Sequence, residues 1–352
     1  MNAHTLSPSL LRSLVAVVLA ATGLMIAGAP AATAADDDVT WTVRTASNDF
    51  GAERSSFNYT VNPGGKVEDA LVVTNHGAAA LDLGVYAADG FTTDSGQFDL
   101  VVAGAESAAV GAWTELDADK IVVNPGQSVE VPFTLTIPKN ATPGDYAGGV
   151  VTSLTEPSAE SGINVDRRLG IKMSLRVGGE LAPSLAIEDM RVDWAGGLNP
   201  LSGGDATVSY TIHNTGNAVL SAQQAASISG PFGLLSTPAG SIESPPQLLP
   251  GETWDVTVPI RNVAATLWVT ASATVTPIVV DAAGSTTPLT TVAASATGPA
   301  VPWMLLLLLI VVAALVFLAL RLRKRNAARQ QAREDERVRD AVDRALVGAS
   351  AE

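Results

Sequence analysis

Basic side chains are concentrated in one short stretch, DRRLGIKMSLRV. Arg167, Arg168, Lys172 and Arg176 fall within ten positions, although residues 36–300 hold only 11 basic residues against 29 acidic ones. On a β-strand, residues 168, 172 and 176 share one face and lie about 13 Å apart. Such a row could bind carboxylates or phosphates through bidentate arginine contacts. Alternatively, the row pairs with Asp or Glu on neighbouring strands.

Two tryptophans are candidates for contact with a sugar. Trp254 falls in phase with the apolar face of an alternating segment, whereas Trp41 and Trp113 do not. Exposed aromatic rings stack on sugar rings, as a glycan-binding protein requires. The alternative for each ring is packing in a core, where tryptophan buries a large apolar area. Trp41 and Trp113 are therefore ligand-binding candidates alongside the basic stretch.

Residue types suited to catalysis or metal binding are scarce. The chain has no cysteine, which excludes disulfides and thiol chemistry. His76 and His213 are the histidines that follow the first 34 residues, and each stands beside the asparagine of a predicted turn. No third ligand at metal-site spacing accompanies either one. We expect no enzyme activity, no cofactor and no metal site.

Two apolar segments place these residues relative to a membrane. Residues 1–34 combine a basic start, an apolar middle and a small-residue Ala-x-Ala end, which is typical of a secretory signal peptide. Residues 301–320 contain no charge and match the thickness of a bilayer core. The basic sequence RLRKR follows directly, and basic flanks of a span stay in the cytoplasm. The sequence predicts one transmembrane helix, an extracellular N-terminal ectodomain and a cytoplasmic tail over 321–352.

The ectodomain is strongly acidic. Its 29 acidic and 11 basic residues give a net charge of −18. Bulk charge of this sign repels nucleic acid and anionic surfaces, so we expect no nucleic-acid partner. Any anion-binding site must be a local exception, and the stretch around Lys172 is the candidate.

Alternation of apolar and polar residues dominates the ectodomain and predicts half-buried strands. Segments such as VEVPFTLTI and LGIKMSLRV alternate strictly, and turn sequences such as NPGG, PGDY and LPGE separate them. The pattern occurs twice along the chain. It predicts an all-β ectodomain of two tandem immunoglobulin-like sandwiches, at 40–179 and 181–276, then a final strand or stalk at 277–300. The tail contains good helix formers and is expected to form a short cytoplasmic helix.

Four longer segments carry a family resemblance: WTVRTASNDFGAERSSFNYTVNPGG, VEDALVVTNHG, VPFTLTIPKNATPGDYAGGVV and RRLGIKMSLRVGGEL. Together they resemble the WxL-interacting proteins, and more narrowly their N-terminal peptidoglycan-binding domain in its actinobacterial, membrane-anchored form. The resemblance covers nearly the whole ectodomain and is most specific in the first predicted domain. It implies binding to cell-wall peptidoglycan or an associated wall polymer. In some members of that family it also implies a bridge to a WxL surface protein.

These observations predict a non-catalytic, single-span protein of the cell envelope whose ectodomain binds the wall. The alternative is a membrane-anchored interaction subunit that presents its sandwiches to another cell-surface protein. The two functions share one topology, and they differ in whether the ectodomain contacts glycan.

The predicted topology can be tested with a protease added to cells from which the wall has been removed. We expect residues 36–300 to be digested while residues 321–352 remain protected, because RLRKR holds the tail in the cytoplasm. An antibody against a C-terminal epitope follows the protected fragment. Loss of that epitope in intact cells would contradict the orientation.

Overall fold

The computed structural model describes residues 40–157, 164–197, 199, 202–280 and 285–349. The predicted signal peptide lies outside these residues. The described chain forms two β-sandwiches of immunoglobulin type followed by one long helix. The all-β fold of two tandem sandwiches, predicted from alternation, is confirmed.

The first sandwich contains one helical turn, α1 (Val110–Trp113), and ten strands: β1 (Trp41–Thr45), β2 (Phe57–Val61), β3 (Lys66–Asn75), β4 (Leu81–Thr92), β5 (Phe98–Leu100), β6 (Thr114–Leu116), β7 (Lys120–Val123), β8 (Ser128–Thr136), β9 (Gly144–Pro157) and β10 (Asn164–Val177). One sheet has the order β1-β3-β8-β6. The other has the order β2-β10-β9-β4-β5, and β7 also pairs with β4. Strand β2 is an edge strand and runs parallel to β10. Phe57, Phe133 and Met173 are fully buried between the sheets.

A buried carboxylate fixes the loop between β1 and β2. The Asp69 side chain on β3 is fully buried and accepts hydrogen bonds from Arg54 (2.7 Å), from Tyr59 (2.6 Å) and from Asn48 (2.6 Å). Burial raises the pKa of Asp69, but the hydrogen bonds, with that from Arg54 the strongest, outweigh it and hold the pKa below the ordinary value. The loop is therefore tied to the sheet by a charge that must stay paired.

The second sandwich contains eight strands: β11 (Leu185–Ala195), β12 (Gly204–Asn214), β13 (Leu220–Ser229), β14 (Thr237–Pro238), β15 (Thr253–Val263), β16 (Leu267–Val280), β17 (Thr286–Pro288) and β18 (Val292–Ala300). One sheet has the order β11-β12-β15. The other has the order β14-β13-β16-β17, with β18 also paired to β16. Strand β18 is a ladder strand along β16, and Ala300 is buried in the second core. This sandwich therefore extends to residue 300, beyond the predicted boundary at 276.

The C-terminal helix, α2 (Trp303–Ala349), is continuous, so no break separates the predicted span from the predicted tail helix. It begins just after Pro302, since proline lacks the amide hydrogen that a helix interior needs. The helix is long and apolar enough to cross a membrane, and its apolar segment is not buried against the protein. The good helix formers of the tail continue the helix beyond the apolar segment.

The pairing of the buried Asp69 carboxylate with Arg54 leads to a prediction about stability. Asp69→Asn removes the charge that neutralises the partly buried Arg54 guanidinium, and we expect it to lower the free energy of unfolding by about 3 kcal/mol. Thermal or urea unfolding measures the difference. Asp82→Asn, at an exposed position on β4, is the matched control and should cost little.

The same pair predicts a pH dependence. Because the pKa of Asp69 is lowered in the folded protein, its contribution is fully present above the ordinary value of 3.8 and is lost as the pH falls through the folded-state pKa. Asp69→Asn should therefore lack this part of the acid destabilisation, whereas Asp82→Asn should retain it. Equal acid sensitivity of the two variants would contradict the assignment.

Candidate functional site at the junction of the two sandwiches

The predicted basic row lies on β10, which is the second strand of its sheet. Met173, Leu175 and Val177 point into the core, as the alternation predicts. Lys172 and Arg176 therefore lie on the outer face of the sheet, with Ser174 between them. At its Arg176 end, this face meets the second sandwich.

Arg176 is already paired within the protein. It lies opposite Asp145 of β9 and forms a bidentate ion pair with it, with Nε and Nη2 at 2.6 and 2.9 Å from the two carboxylate oxygens. The hydrogen bonds that Arg176 donates to Asp145 raise the pKa of Arg176. The alternative of cross-strand pairing is thus correct for this residue, and its contact with a ligand stays a prediction.

Arg168 is also engaged by the protein. Its guanidinium donates a hydrogen bond to the carbonyl oxygen of Leu100 at 3.2 Å, and the carboxylates of Asp99 and Asp166 each lie at 3.9 Å. Arg167 has the opposite phase on β10 and is exposed. The three residues of the row share a face, but they do not form the row of free cations that the spacing predicts.

Lys172 differs from its neighbours because no ion pair holds it in the part of the chain that the structure describes. Its ammonium nitrogen lies 4.4 Å from the centre of the Phe98 ring on β5. Burial lowers the pKa of Lys172. Phe98 packs against Gly90, where an added Cβ atom would overlap the ring. Gly90 therefore lets the ring approach the sheet closely enough to support the lysine.

Lys172 faces a groove of about 410 Å³ between the two sandwiches. On the first sandwich, the polar side chains that line it include Asn58 and Thr60 of β2, Ser174 of β10 and the ion pair of Arg176 with Asp145. The second sandwich contributes Val219, Gln247, Leu249 and Val280. The groove combines one ammonium and one arginine–aspartate ion pair with amide and hydroxyl groups beside an apolar wall. That chemistry suits a polar, carboxylate-bearing ligand.

Asp145 also holds the groove together. Besides Arg176, its carboxylate accepts a hydrogen bond of 2.9 Å from the backbone amide of Val219 in the second sandwich. Its own amide donates to the carbonyl oxygen of Asn217 at 2.8 Å. The Asn217 side chain in turn donates to the carbonyl oxygens of Pro143 and Glu180.

A second carboxylate joins the sandwiches on the other side of the junction. Glu252 accepts hydrogen bonds of 2.7 Å from both the amide and the hydroxyl of Thr92 on β4. Asp145 and Glu252 come from the turn sequences PGDY and LPGE. Their composition predicts turns alone, and the acidic residue after each Pro-Gly pair is the signal that points to a further role.

The two tryptophan candidates have different positions. Trp41 is buried, and its indole nitrogen donates to the hydroxyl of Thr152 at 2.9 Å, so it cannot stack on a sugar. Core packing is the correct alternative for Trp41. Trp113 is half-buried and packs edge-on against Tyr146 with ring centres 5.0 Å apart. Tyr146 lines a smaller cleft of about 300 Å³ at the same junction, so Trp113 supports that cleft from behind.

The two histidines make local hydrogen bonds. His76 Nε2 lies 2.9 Å from the Thr42 hydroxyl, and His213 Nδ1 lies 2.9 Å from the Glu188 carboxylate. The two lie in different sandwiches, each on a partly exposed strand or turn. Neither faces the groove at Lys172.

Comparison with known proteins gives structural similarity alone. No family model and no curated protein matches the chain. A solved chaperone–tip adhesin complex of CFA/I fimbriae is 9% identical, with 66% of this chain and 90% of that chain covered and a TM-score of 0.35. The CupB2 chaperone of Pseudomonas aeruginosa is 11% identical, with 70% and 98% covered and a TM-score of 0.29. The DraB chaperone of E. coli is 11% identical, with 73% and 98% covered and a TM-score of 0.31. Similarities at this level carry no functional argument.

The hydrogen bonds of Asp145 at the junction lead to a prediction about how firmly the two sandwiches are held together. Asp145→Ala removes the acceptor of Arg176 and of the Val219 amide, so we expect the two sandwiches to separate more often. Cleavage after Glu180, in the segment that joins them, should become about tenfold faster, the size expected from losing hydrogen bonds to a charged group. A glutamate-specific protease with mass spectrometry of the fragments measures the rate.

Asp82→Ala is the control for this experiment, because Asp82 is exposed on β4 and lies outside the junction. Equal cleavage rates after Glu180 in wild type, Asp82→Ala and Asp145→Ala would show that Asp145 does not join the domains. Small-angle scattering should show a larger radius of gyration for Asp145→Ala alone.

Proposed function

We propose that this chain is a non-catalytic protein of the cell envelope whose ectodomain binds cell-wall peptidoglycan. The observation that carries the proposal is Lys172, a half-buried ammonium without an acidic partner among the described residues, placed in a polar groove between two sandwiches. The resemblance to the WxL-interacting proteins supports the same function and remains part of the proposal.

The groove suits the chemistry of peptidoglycan. Its peptide stems carry carboxylates and amides, and its glycan strands carry hydroxyls. Lys172 would pair with a stem carboxylate, because a partly desolvated ammonium gains more from an anion than an exposed one does. Asn58, Thr60 and Ser174 would exchange hydrogen bonds with amides and hydroxyls. Binding of this kind makes and breaks no covalent bond.

Helix α2 supports the anchoring part of the proposal. Its apolar segment is exposed and long enough to span a bilayer, and RLRKR marks its cytoplasmic end. The protein would then be a single-pass membrane protein with its sandwiches outside the cell. It would connect the membrane to the wall by adhesion.

Sedimentation of the detergent-solubilised full chain with purified insoluble peptidoglycan tests the proposal. Wild type should sediment with the wall, and Lys172→Gln should bind at least about tenfold more weakly because a charged hydrogen bond is lost. Binding of wild type should weaken with salt more steeply than binding of the variant.

Lys120→Gln is the matched control. It removes the same charge at an exposed position on β7, which pairs with β4 on the far side of the sheet from β2. It should bind like wild type. Failure of wild type to sediment would favour the alternative of an interaction subunit for another surface protein. Equal binding by Lys172→Gln and wild type would place the wall site elsewhere.

A further inference from the structure

One end of the second sandwich exposes five large apolar side chains, here called the apolar tip: Phe232, Leu234, Leu235, Leu267 and Trp268. Phe232 is 98% exposed, and the other four are between 47% and 64% exposed. The tip is formed by the loop after β13 and by the start of β16. Gly230 at the base of the loop lies against Thr266, so the two segments are adjacent. Isolated exposed apolar residues are ordinary, but a cluster of this size marks an interaction surface.

The apolar tip lies where the chain leaves the second sandwich for helix α2. In the ladder between β16 and β18, Leu267 is opposite Ala300 and Trp268 is opposite Pro299. The helix begins three residues after Ala300, at Trp303. The turn between β11 and β12 also lies at this end, because Gly196 and Ser202 line a small cleft together with Trp303. The tip therefore faces the same side as the first turn of the helix.

Charge is absent from the segments that form the tip. Residues 230–240, 262–270 and 292–304 contain no Asp, Glu, Lys or Arg, although residues 36–300 contain 40 such residues. A surface that binds another protein usually has polar or charged residues around its rim, and these segments have no charged residue. An uncharged apolar surface with a tryptophan is what the boundary between headgroups and acyl chains accepts.

The backbone of the tip is held in an unfavourable conformation. Phe232, Leu235 and Leu267 have φ angles of 59°, 55° and 71°, in the left-handed region that bulky side chains avoid. These are three of the six non-glycine residues with positive φ in the described chain. Strained residues of this kind cluster at functional surfaces. Here the strain falls on three of the five exposed apolar side chains of the tip.

We propose that the apolar tip inserts into the outer leaflet of the membrane that helix α2 crosses. The second sandwich would then rest on the bilayer at two points, the helix and the tip, and could not swing freely about Val301 and Pro302. The groove at Lys172 would be held at a fixed height and direction relative to the membrane. This inference rests on the proposed anchoring by α2, and the experiment below separates the two.

Site-directed spin labelling tests the insertion, and the absence of cysteine lets each label be placed alone. Three single variants of the full chain, Leu234→Cys, Val122→Cys and Leu308→Cys, are reconstituted into phosphatidylcholine vesicles. Leu234 is in the tip, Leu308 is in the apolar segment of α2, and Val122 is an exposed valine on β7 of the first sandwich. Collisions of each label with oxygen, which concentrates in lipid, are compared with collisions with a water-soluble nickel chelate.

The label at 308 should be oxygen-accessible if α2 spans the bilayer, and the label at 122 should be accessible to the nickel chelate. The label at 234 should resemble that at 308, with preference for oxygen. Water-like access at 234 together with lipid-like access at 308 would overturn the insertion while leaving the anchor intact. Water-like access at 308 would show that the anchor itself is absent, and the inference would fall with it.

A second copy of the chain is the remaining occupant that a purified system allows. In that case the label at 234 would be shielded from both reagents, and dipolar broadening of its spectrum would disappear when the protein is diluted in lipid. That outcome would also overturn the insertion. Phe232→Ser in the Leu234→Cys background should shift the label towards nickel accessibility if the tip inserts as one surface.

Discussion

The carboxylate of Asp145 is the interaction on which the arrangement of the ectodomain depends. It binds Arg176 on the neighbouring strand and the amide of Val219 in the second sandwich. A largely buried carboxylate requires such partners, because an unpaired charge in this position would be strongly destabilising. With Glu252 bound to Thr92 on the other side, the junction is held at two places. The groove at Lys172 exists because these two contacts fix the sandwiches against each other.

Sequence alone predicted the class of fold, because alternation reports which face of each strand is buried. It placed Lys172 and Arg176 correctly on an outer face. The sequence could not show which cation would be neutralised, because that depends on the register between β9 and β10. Asp145 lies opposite Arg176, whereas Gly149 lies opposite Lys172. Trp41 was ambiguous for a similar reason, because its partner Thr152 is 111 residues away. The apolar tip was also missed, because its two segments become adjacent only through the pairing of β13 with β16.

Under the proposed function, the described features would form a connected path from membrane to wall. Helix α2 would anchor the chain, and the apolar tip would set the second sandwich on the bilayer. The Asp145 and Glu252 contacts would then transmit that orientation to the first sandwich. The polar groove between the sandwiches would bind the wall. Each part depends on a different kind of interaction. The helix and the apolar tip depend on apolar burial, the junction depends on charge-assisted hydrogen bonds, and the groove depends on a single partly desolvated ammonium.

Hydrogen–deuterium exchange of the full chain, with and without soluble peptidoglycan fragments, tests the central claim that the wall binds in the junction groove. Fragments at saturating concentration should slow exchange in peptides that cover β2, the second half of β10 and residues 247–249. Peptides from β7 and from the apolar tip should not change. Protection confined to another surface, or no protection at any concentration, would contradict the account.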